Sequence, residues 1–241
     1  MIEIKDITKK YRSLVAVNHV NLTIQDGELF GLLGVNGAGK TTLISMLSTL
    51  VHPTSGTASL MGHDLIKEKE EIKKIMSVSP QETAIAPLLT VKENLSFFSE
   101  IYEMDDLTYL EKIIHLFHLE EVLNKKARTL SGGYKRRLSI AISLLSKPKV
   151  LFLDEPTLGL DVFARRELWK IILSLKGKIT IVLTSHYLEE IEALCDRIAV
   201  IHKGNIIFEG KIEVMKEKTQ KENIEDAFIA LIEGDDPHET L

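Results

Sequence analysis

Leu29-Phe30-Gly31-Leu32-Leu33 runs directly into Gly34-Val35-Asn36-Gly37-Ala38-Gly39-Lys40-Thr41-Thr42, and no other stretch of the chain constrains the fold as tightly. The first segment reads as a short strand. Beyond the loop, Leu43, Met46, Leu47 and Leu50 recur at helical spacing, which predicts a helix from Thr41 to Leu50. A strand, a glycine loop and a helix in that order form a cradle for phosphate. Glycines let the backbone approach an anion and turn successive N–H groups toward it, and the helix adds the positive end of its dipole. Lys40 is placed to reach the β- and γ-phosphates of a nucleotide, and the Thr41 hydroxyl to hold Mg²⁺. By itself the loop says only that a nucleotide binds.

Two further segments narrow the reading. Val150-Leu151-Phe152-Leu153-Asp154-Glu155-Pro156 is an apolar strand closed by two carboxylates. Such a run is buried, and the following Pro156 leaves both acids at the strand's end, where they can face a phosphate. A solvated helix start is the bland reading of paired acids, and the apolar run before them argues against it. Upstream, Leu130-Ser131-Gly132-Gly133-Tyr134-Lys135-Arg136-Arg137-Leu138 makes Ser131 an N-cap candidate. The helix behind it carries an apolar stripe of Leu138, Ala141, Ile142 and Leu145. Its glycines expose N–H groups at a dipole's positive end, a second anion site in one chain. Lys135, Arg136 and Arg137 read as a solvated basic face, or as a surface that pairs with acids of another subunit.

The 241 residues, 44% hydrophobic and 27% charged, fit one large domain or one domain with an inserted lobe. A net charge of −5 offers nothing that points to nucleic acid. The single cysteine, Cys195, excludes an internal disulfide and reads as a core residue. No window approaches the roughly 20 apolar residues of a membrane span. Met1-Ile2-Glu3-Ile4-Lys5-Asp6 lacks a signal peptide's apolar run, so a cytoplasmic location is expected. Short strands are expected at Ile2 to Ile4, Val15 to Ile24 and Thr57 to Met61, with a turn at Asp26-Gly27. From about Ile85 to Leu145 the periodicity is helical. Val91, Leu95, Phe98 and Tyr102 share one face, and Leu110, Ile113, Ile114 and Phe117 another, which predicts a helical lobe inserted into an α/β core. Beyond Val150 the expected order is a helix from Phe163 to Leu175, a strand from Ile179 to Leu183 and a helix from Leu188 to Cys195. A hairpin turned at Gly204-Asn205 follows. Ile224, Ala227, Phe228 and Leu231 predict a short helix in a charged tail.

With phosphate loop, Leu-Ser-Gly-Gly segment and acidic strand in this order, the chain resembles the ATP-binding subunit of an ABC transporter from its start to about Gly210. The resemblance implies an α/β P-loop NTPase (RecA-like) core with an N-terminal antiparallel β subdomain and an inserted helical subdomain at about 85–145. The ATPase domain would span 1–210 and a charged tail 211–241. Tyr11, followed by Val15-Ala16-Val17, resembles the aromatic residue that stacks on adenine, core packing being the other reading. Gly34, Asn36, Gly37, Ala38, Gly39, Lys40, Thr41 and Thr42 would hold the phosphates. Asp154 would join Thr41 and Gln81 around Mg²⁺, and Glu155 would orient or deprotonate the attacking water. Gln81, after Val78-Ser79-Pro80, would also touch that water and report nucleotide state to a membrane partner. His186, in Thr184-Ser185-His186, resembles the switch histidine that contacts the γ-phosphate. Ser131, Gly132 and Gly133 would close over ATP bound to a second copy of the chain. Asp161, in Leu158-Gly159-Leu160-Asp161, resembles the loop that crosses that seam. Tyr134 stands where the commonest signature has Gln, and Val35 where many relatives have Pro; neither change removes a phosphate-contacting glycine.

The Leu130–Leu138 segment, with Leu89-Thr90-Val91-Lys92-Glu93-Asn94-Leu95 before it, is similar to ATPases of exporters for drugs, sodium, lipids or peptides. That implies a Mg²⁺-dependent, ATP-driven dimer serving a separate membrane-spanning permease, with Ile85, Pro87, Leu88 and Phe98 as candidate contacts. The competing class is a soluble ABC ATPase. Coiled coils or zinc cysteines of DNA repair and paired cassettes of translation factors are missing, which leaves cofactor assembly as the alternative.

Overall fold

Strands β3 (Leu29–Leu33), β7 (Val150–Asp154) and β8 (Thr180–Thr184) have apolar centres, and the computed structural model, which describes residues 1–235, buries both of their faces. Successive side chains point to opposite sides of a strand, so each strand feeds two cores. Leu29, Leu33, Leu151, Leu153, Ile181 and Leu183 enter one. Phe30, Leu32, Val150, Phe152 and Val182 enter the other. With β6 (Met76–Ser79) and β9 (Arg197–His202) these strands form a parallel sheet. β10 (Asn205–Gly210) closes one edge antiparallel to β9, and the order is β10-β9-β3-β8-β7-β6.

A second, antiparallel sheet has the order β2-β1-β4-β5, from β1 (Ile2–Tyr11), β2 (Leu14–Ile24), β4 (Ser55–Leu60) and β5 (His63–Asp64). Its Ile2, Ile4, Val17 and Val20 pack in the same core as Leu43 and Met46 of helix α1 (Lys40–Leu47). α1 ends three residues short of the expected Leu50. Thr49 turns left-handed with a φ of 61°, and Leu50 is 75% exposed. Helix α2 (Lys69–Ile75) precedes β6; neither was visible in the periodicity, since only Ile72 of α2 is buried and β6 has four residues.

Helices α3 (Val91–Ile101), α4 (Leu107–Leu116) and α5 (Gly132–Leu144) make up the helical region. Thr90 and Glu93 form a reciprocal capping box on α3, and Asp106 caps α4. α6 (Val162–Leu175) follows β7, and α7 (Leu188–Leu194) follows β8. The hairpin of β9 and β10 turns at Lys203-Gly204, one residue earlier than expected.

Beyond Gly210 the chain forms two helices, α8 (Ile212–Thr219) and α9 (Ile224–Asp235), where one was expected. Ile212, Met215, Ile224 and Ala227 join the core beneath the parallel sheet, and His202 Nδ1 lies 2.9 Å from Asp235 Oδ2. Residues 236–241 of the expected tail lie outside the described residues. Among the described residues no helix is long and apolar enough to cross a membrane.

Candidate nucleotide site

Ligands of parallel α/β sheets gather outside the carboxyl ends of the strands. Here the pairing register brings four such ends level. Leu32 and Asp154 both sit opposite Thr184, and Ser79 sits opposite Leu153. The glycine loop, Pro80-Gln81, Asp154-Glu155 and Ser185-His186 therefore leave the sheet side by side. They border a cleft of about 520 Å³ lined by Tyr11, Asn36, Gly37, Ala38, Gly39, Lys40, Thr41, Thr42, Gln81, Asp154, Glu155 and His186. Leu14, Val15 and Ala16 of β2 and the Lys203-Gly204 turn complete the wall. Ser131, Gly132, Gly133, Asp161 and Gly34 do not line it.

Gly39 has a φ of 115°, and a Cβ there would stand 2.4 Å from the Ala16 carbonyl oxygen. A Cβ on Gly34 would come equally close to the Ile201 carbonyl. Both positions exclude any side chain, and this keeps the loop tight against β2 and β9. No side chain of the described residues caps α1, which leaves its first-turn N–H groups for an anion. The Lys40 ammonium donates to the carbonyls of Gly34 (2.6 Å) and Val35 (3.2 Å). Burial pulls its pKa down while Glu155 and Asp154 hold it up. Tyr11 is 44% exposed, with Lys9 Nζ 5.0 Å from its ring centre, so the core-packing reading fails.

The Thr184 hydroxyl donates to Asp154 Oδ1 at 2.6 Å and accepts from the Glu155 backbone N–H at 3.1 Å. Glu155 is itself left-handed, with a φ of 49°, and buried. A non-glycine residue in that conformation costs about 1–3 kcal/mol and persists where its surroundings enforce it. Its Oε2 accepts from the His186 N–H at 2.9 Å; Oε1 lies 3.3 Å from His186 Nε2, and no donor of the described residues hydrogen-bonds it. Burial pushes the Glu155 carboxyl above its usual value; His186 and Lys40 pull it back, and Asp154 repels it. The carboxylate is thereby more basic than an exposed glutamate, with one oxygen able to take a proton.

The expected basic cluster divides. Arg136 is neither solvated nor available to another subunit: it is 4% exposed. Its Nε donates to the Pro156 carbonyl (2.7 Å), Nη1 to those of Pro80 (2.5 Å) and Gln81 (3.3 Å), and Nη2 to that of Asp154 (2.7 Å). Desolvation brings its pKa down to about 10, so it remains a cation at neutral pH. In the structure it shares a buried face of α5 with Gly133, Ile140 and Ser143. Arg137 instead covers the Tyr134 ring at 4.3 Å. Glu190, which the sequence did not single out, is fully buried. Its carboxylate accepts from Trp169 Nε1 (2.9 Å) and the Ser185 hydroxyl (2.5 Å), and burial raises its pKa.

Ser131 caps α5 as expected, its hydroxyl accepting from the Tyr134 N–H. Asp161 caps α6, accepting from Phe163 and Ala164. Cys195 is half-buried against the core, and desolvation there holds its thiol well above the usual value.

Residues 17–158 match the ABC transporter family profile. The probable multidrug ABC transporter ATP-binding protein YbhF of Escherichia coli K12 is 38% identical over 96% of this chain and 42% of its own length. The chain thus spans less than half of that relative. The Nod factor export ATP-binding protein I of Burkholderia lata is 41% identical over 87% of the chain and 70% of its own length. Among solved structures, a dimeric ATP-binding cassette in a post-hydrolysis state with ADP and Pi superposes with a TM-score of 0.77. It is 26% identical and covers 88% of this chain and 98% of its own. With the phosphate loop, the acidic strand end and the Leu-Ser-Gly-Gly helix in one fold, the chain belongs to the ABC transporter family as one of its ATP-binding cassettes.

Proposed function

We propose that this chain is the ATP-hydrolysing subunit of an exporter, working as a dimer that closes on ATP and drives a separate membrane-spanning partner. The observation that carries the catalytic part is Glu155: a buried, raised-pKa carboxylate at the edge of the phosphate-loop cleft, with Oε1 beside His186 Nε2 and accepting no hydrogen bond from the described residues. Adenine stacks on Tyr11. Gly34, Asn36, Gly37, Ala38, Gly39, Lys40, Thr41 and Thr42 surround the phosphates. Water attacks the γ-phosphorus as Glu155 Oε1 takes its proton, the bond to the β–γ bridging oxygen breaks, and ADP and phosphate are the products; His186 and Gln81 orient water and γ-phosphate. Such base assistance is worth ~10²–10⁴ in rate. Thr41, Asp154 and Gln81 present hard oxygen donors to one cleft and fit Mg²⁺, which supplies charge neutralisation at the β- and γ-phosphates.

The separation of Ser131, Gly132 and Gly133 from that cleft supports a site shared between two copies, as does the dimeric cassette to which the chain is similar. In the dimer this helix end caps the partner's γ-phosphate, the Asp161 loop lies at the seam, and hydrolysis removes the bridging phosphate. Residues 1–210 act as the ATPase domain, with the lobe at 85–145 docking the permease at the cytoplasmic face through Ile85, Pro87, Leu88 and Phe98. Leu88 is 67% exposed. The names of the relatives, multidrug transport and Nod factor export, favour export over cofactor assembly.

Gentle solubilisation of membranes from cells carrying the tagged chain tests the transport part. A multi-spanning protein in equal amount is the expected result; recovery only with soluble proteins would overturn it. Glu155→Gln tests the chemistry: ATP binding and ATP-induced dimerisation persist while steady-state turnover is lost. Wild-type turnover would refute the assignment of the base.

A further inference from the structure

Among the described residues, Arg136 is the one buried guanidinium, and it joins three separate parts of the candidate site. It stands on α5, one turn inside the Ser131-Gly132-Gly133 end. Two of its nitrogens bracket Glu155, donating to the carbonyls of the residues immediately before and after it, Asp154 and Pro156. The third bonds to the carbonyls of Pro80 and Gln81. A planar guanidinium offers its donors in a fixed fork, so these acceptors are held in one mutual arrangement that a flexible ammonium could not impose. Glu155 needs that restraint, because its backbone sits in the left-handed region with a φ of 49°.

We propose that Arg136 is a positioning residue for ATP hydrolysis: it clamps the strand end that carries Glu155 and the loop that carries Gln81 onto the helix whose N-terminus meets the other copy. The inference rests on the catalytic reading above. Arg136 touches neither nucleotide nor water. It acts through Glu155, by keeping the carboxylate of that strained residue at the cleft, and through Gln81, by setting how far its loop stands from Asp154. The same clamp transmits movement: a pull on the Ser131 end of α5 reaches both catalytic loops through a single side chain. Lys135 and Arg137, partly exposed neighbours on the same helix, make no such contacts.

The test is a cycle of Arg136→Lys and Glu155→Gln in the intact chain, with ATP affinity, thermal midpoint and single-turnover hydrolysis measured for all four proteins. Arg136→Lys keeps the charge but loses the fork. The expected result is hydrolysis slowed about 10- to 100-fold in the Glu155 background, the scale of a misplaced catalytic group, with ATP affinity within about twofold. In the Glu155→Gln background the same change slows the residual rate no further, because the group it positions is gone. Unchanged hydrolysis in a folded Arg136→Lys protein would overturn the proposal, and so would an equal loss in both backgrounds, which marks a structural role. If Glu155→Gln alone turns over at the wild-type rate, the catalytic reading fails, and that outcome is separate from failure of the clamp. Should Arg136→Lys not fold, arginine-labelled wild-type protein decides by NMR. Separate, slowly exchanging Nη1 and Nη2 signals for Arg136 that shift on adding MgATP support the clamp; averaged signals like those of a free side chain would overturn it.

Discussion

The backbone N–H of His186 donates to Glu155 Oε2 at 2.9 Å while its imidazole Nε2 stands 3.3 Å from Oε1, so one residue contacts both oxygens of the same carboxylate. The loop after β8 therefore sets where the carboxylate at the end of β7 can point. Any movement of that loop on nucleotide binding changes the position and the basicity of Glu155 together.

Only ionised Glu155 accepts a proton, and burial has raised its pKa above the ordinary 4.5. Turnover therefore falls as pH drops through a value higher than 4.5. A profile of kcat against pH at saturating MgATP shows an acid limb there, and the residual single-turnover rate of Glu155→Gln lacks it. A limb at or below 4.5 contradicts the assignment of this base.

Thr184→Val preserves shape but removes the hydroxyl that donates to Asp154 Oδ1; the Glu155 N–H loses one of its two acceptors and keeps the Thr184 carbonyl at 3.2 Å. Hydrogen bonds to charged groups contribute about 1.5–3 kcal/mol, and a loss of that order is expected in urea denaturation. The Mg²⁺ dependence of turnover shifts to higher concentration, since Asp154 loses its orienting partner. An unshifted Mg²⁺ dependence would show that Thr184 serves stability alone.

Gly39→Ala forces a Cβ to 2.4 Å from the Ala16 carbonyl at a φ of 115°. Substitution at an incompatible φ costs more than about 1 kcal/mol, and the displaced loop loses ATP affinity. Gly234→Ala is the contrast: it lies in α9 with open space around it and gains up to about 1 kcal/mol of stability. Melting curves of both variants check the pair.

Glu190 has a folded-state pKa above its ordinary 4.5 because it is buried, with hydrogen bonds from Ser185 and Trp169 only partly offsetting this. Between 4.5 and the raised value the native state holds more protons than the unfolded chain, so stability drops as pH rises across that interval. Glu190→Gln removes this contribution and flattens the slope of unfolding free energy against pH just above 4.5. The two proteins, titrated with urea at several pH values, diverge there if the buried carboxylate is its source.

The elements legible in the sequence were those with a strong period or an apolar run. Leu29–Leu33 and Val150–Leu153 announced themselves as strands because burial on both faces demands uninterrupted apolar residues. Ser131 was legible as a cap because a hydroxyl ahead of a helix has a local partner. The helix end at Leu47 was not, since Leu50 continues the apolar spacing and only the left-handed Thr49 breaks it. α2 and β6 escaped because short, half-exposed elements carry too few apolar positions to set a period. The lining of the cleft by Tyr11, Gln81 and His186 followed from their places after strands, and the register of those strands brings the loops level.

The sequence by itself determined the local chemistry: a loop that only glycines can form, a lysine and a threonine at its end, two carboxylates closing a buried strand, and a capped glycine helix. Each depends on neighbours within a few positions, so composition and spacing suffice to specify it. The tertiary structure alone decided that Arg136 is buried rather than solvated, that Glu190 bonds to Ser185 beside His186, and that α8 and α9 pack into the core. The partners of Arg136 lie 18 to 56 residues away and are main-chain carbonyls, which every residue possesses. No sequence pattern marks such an acceptor; it exists only once the strands have paired and their ends stand side by side.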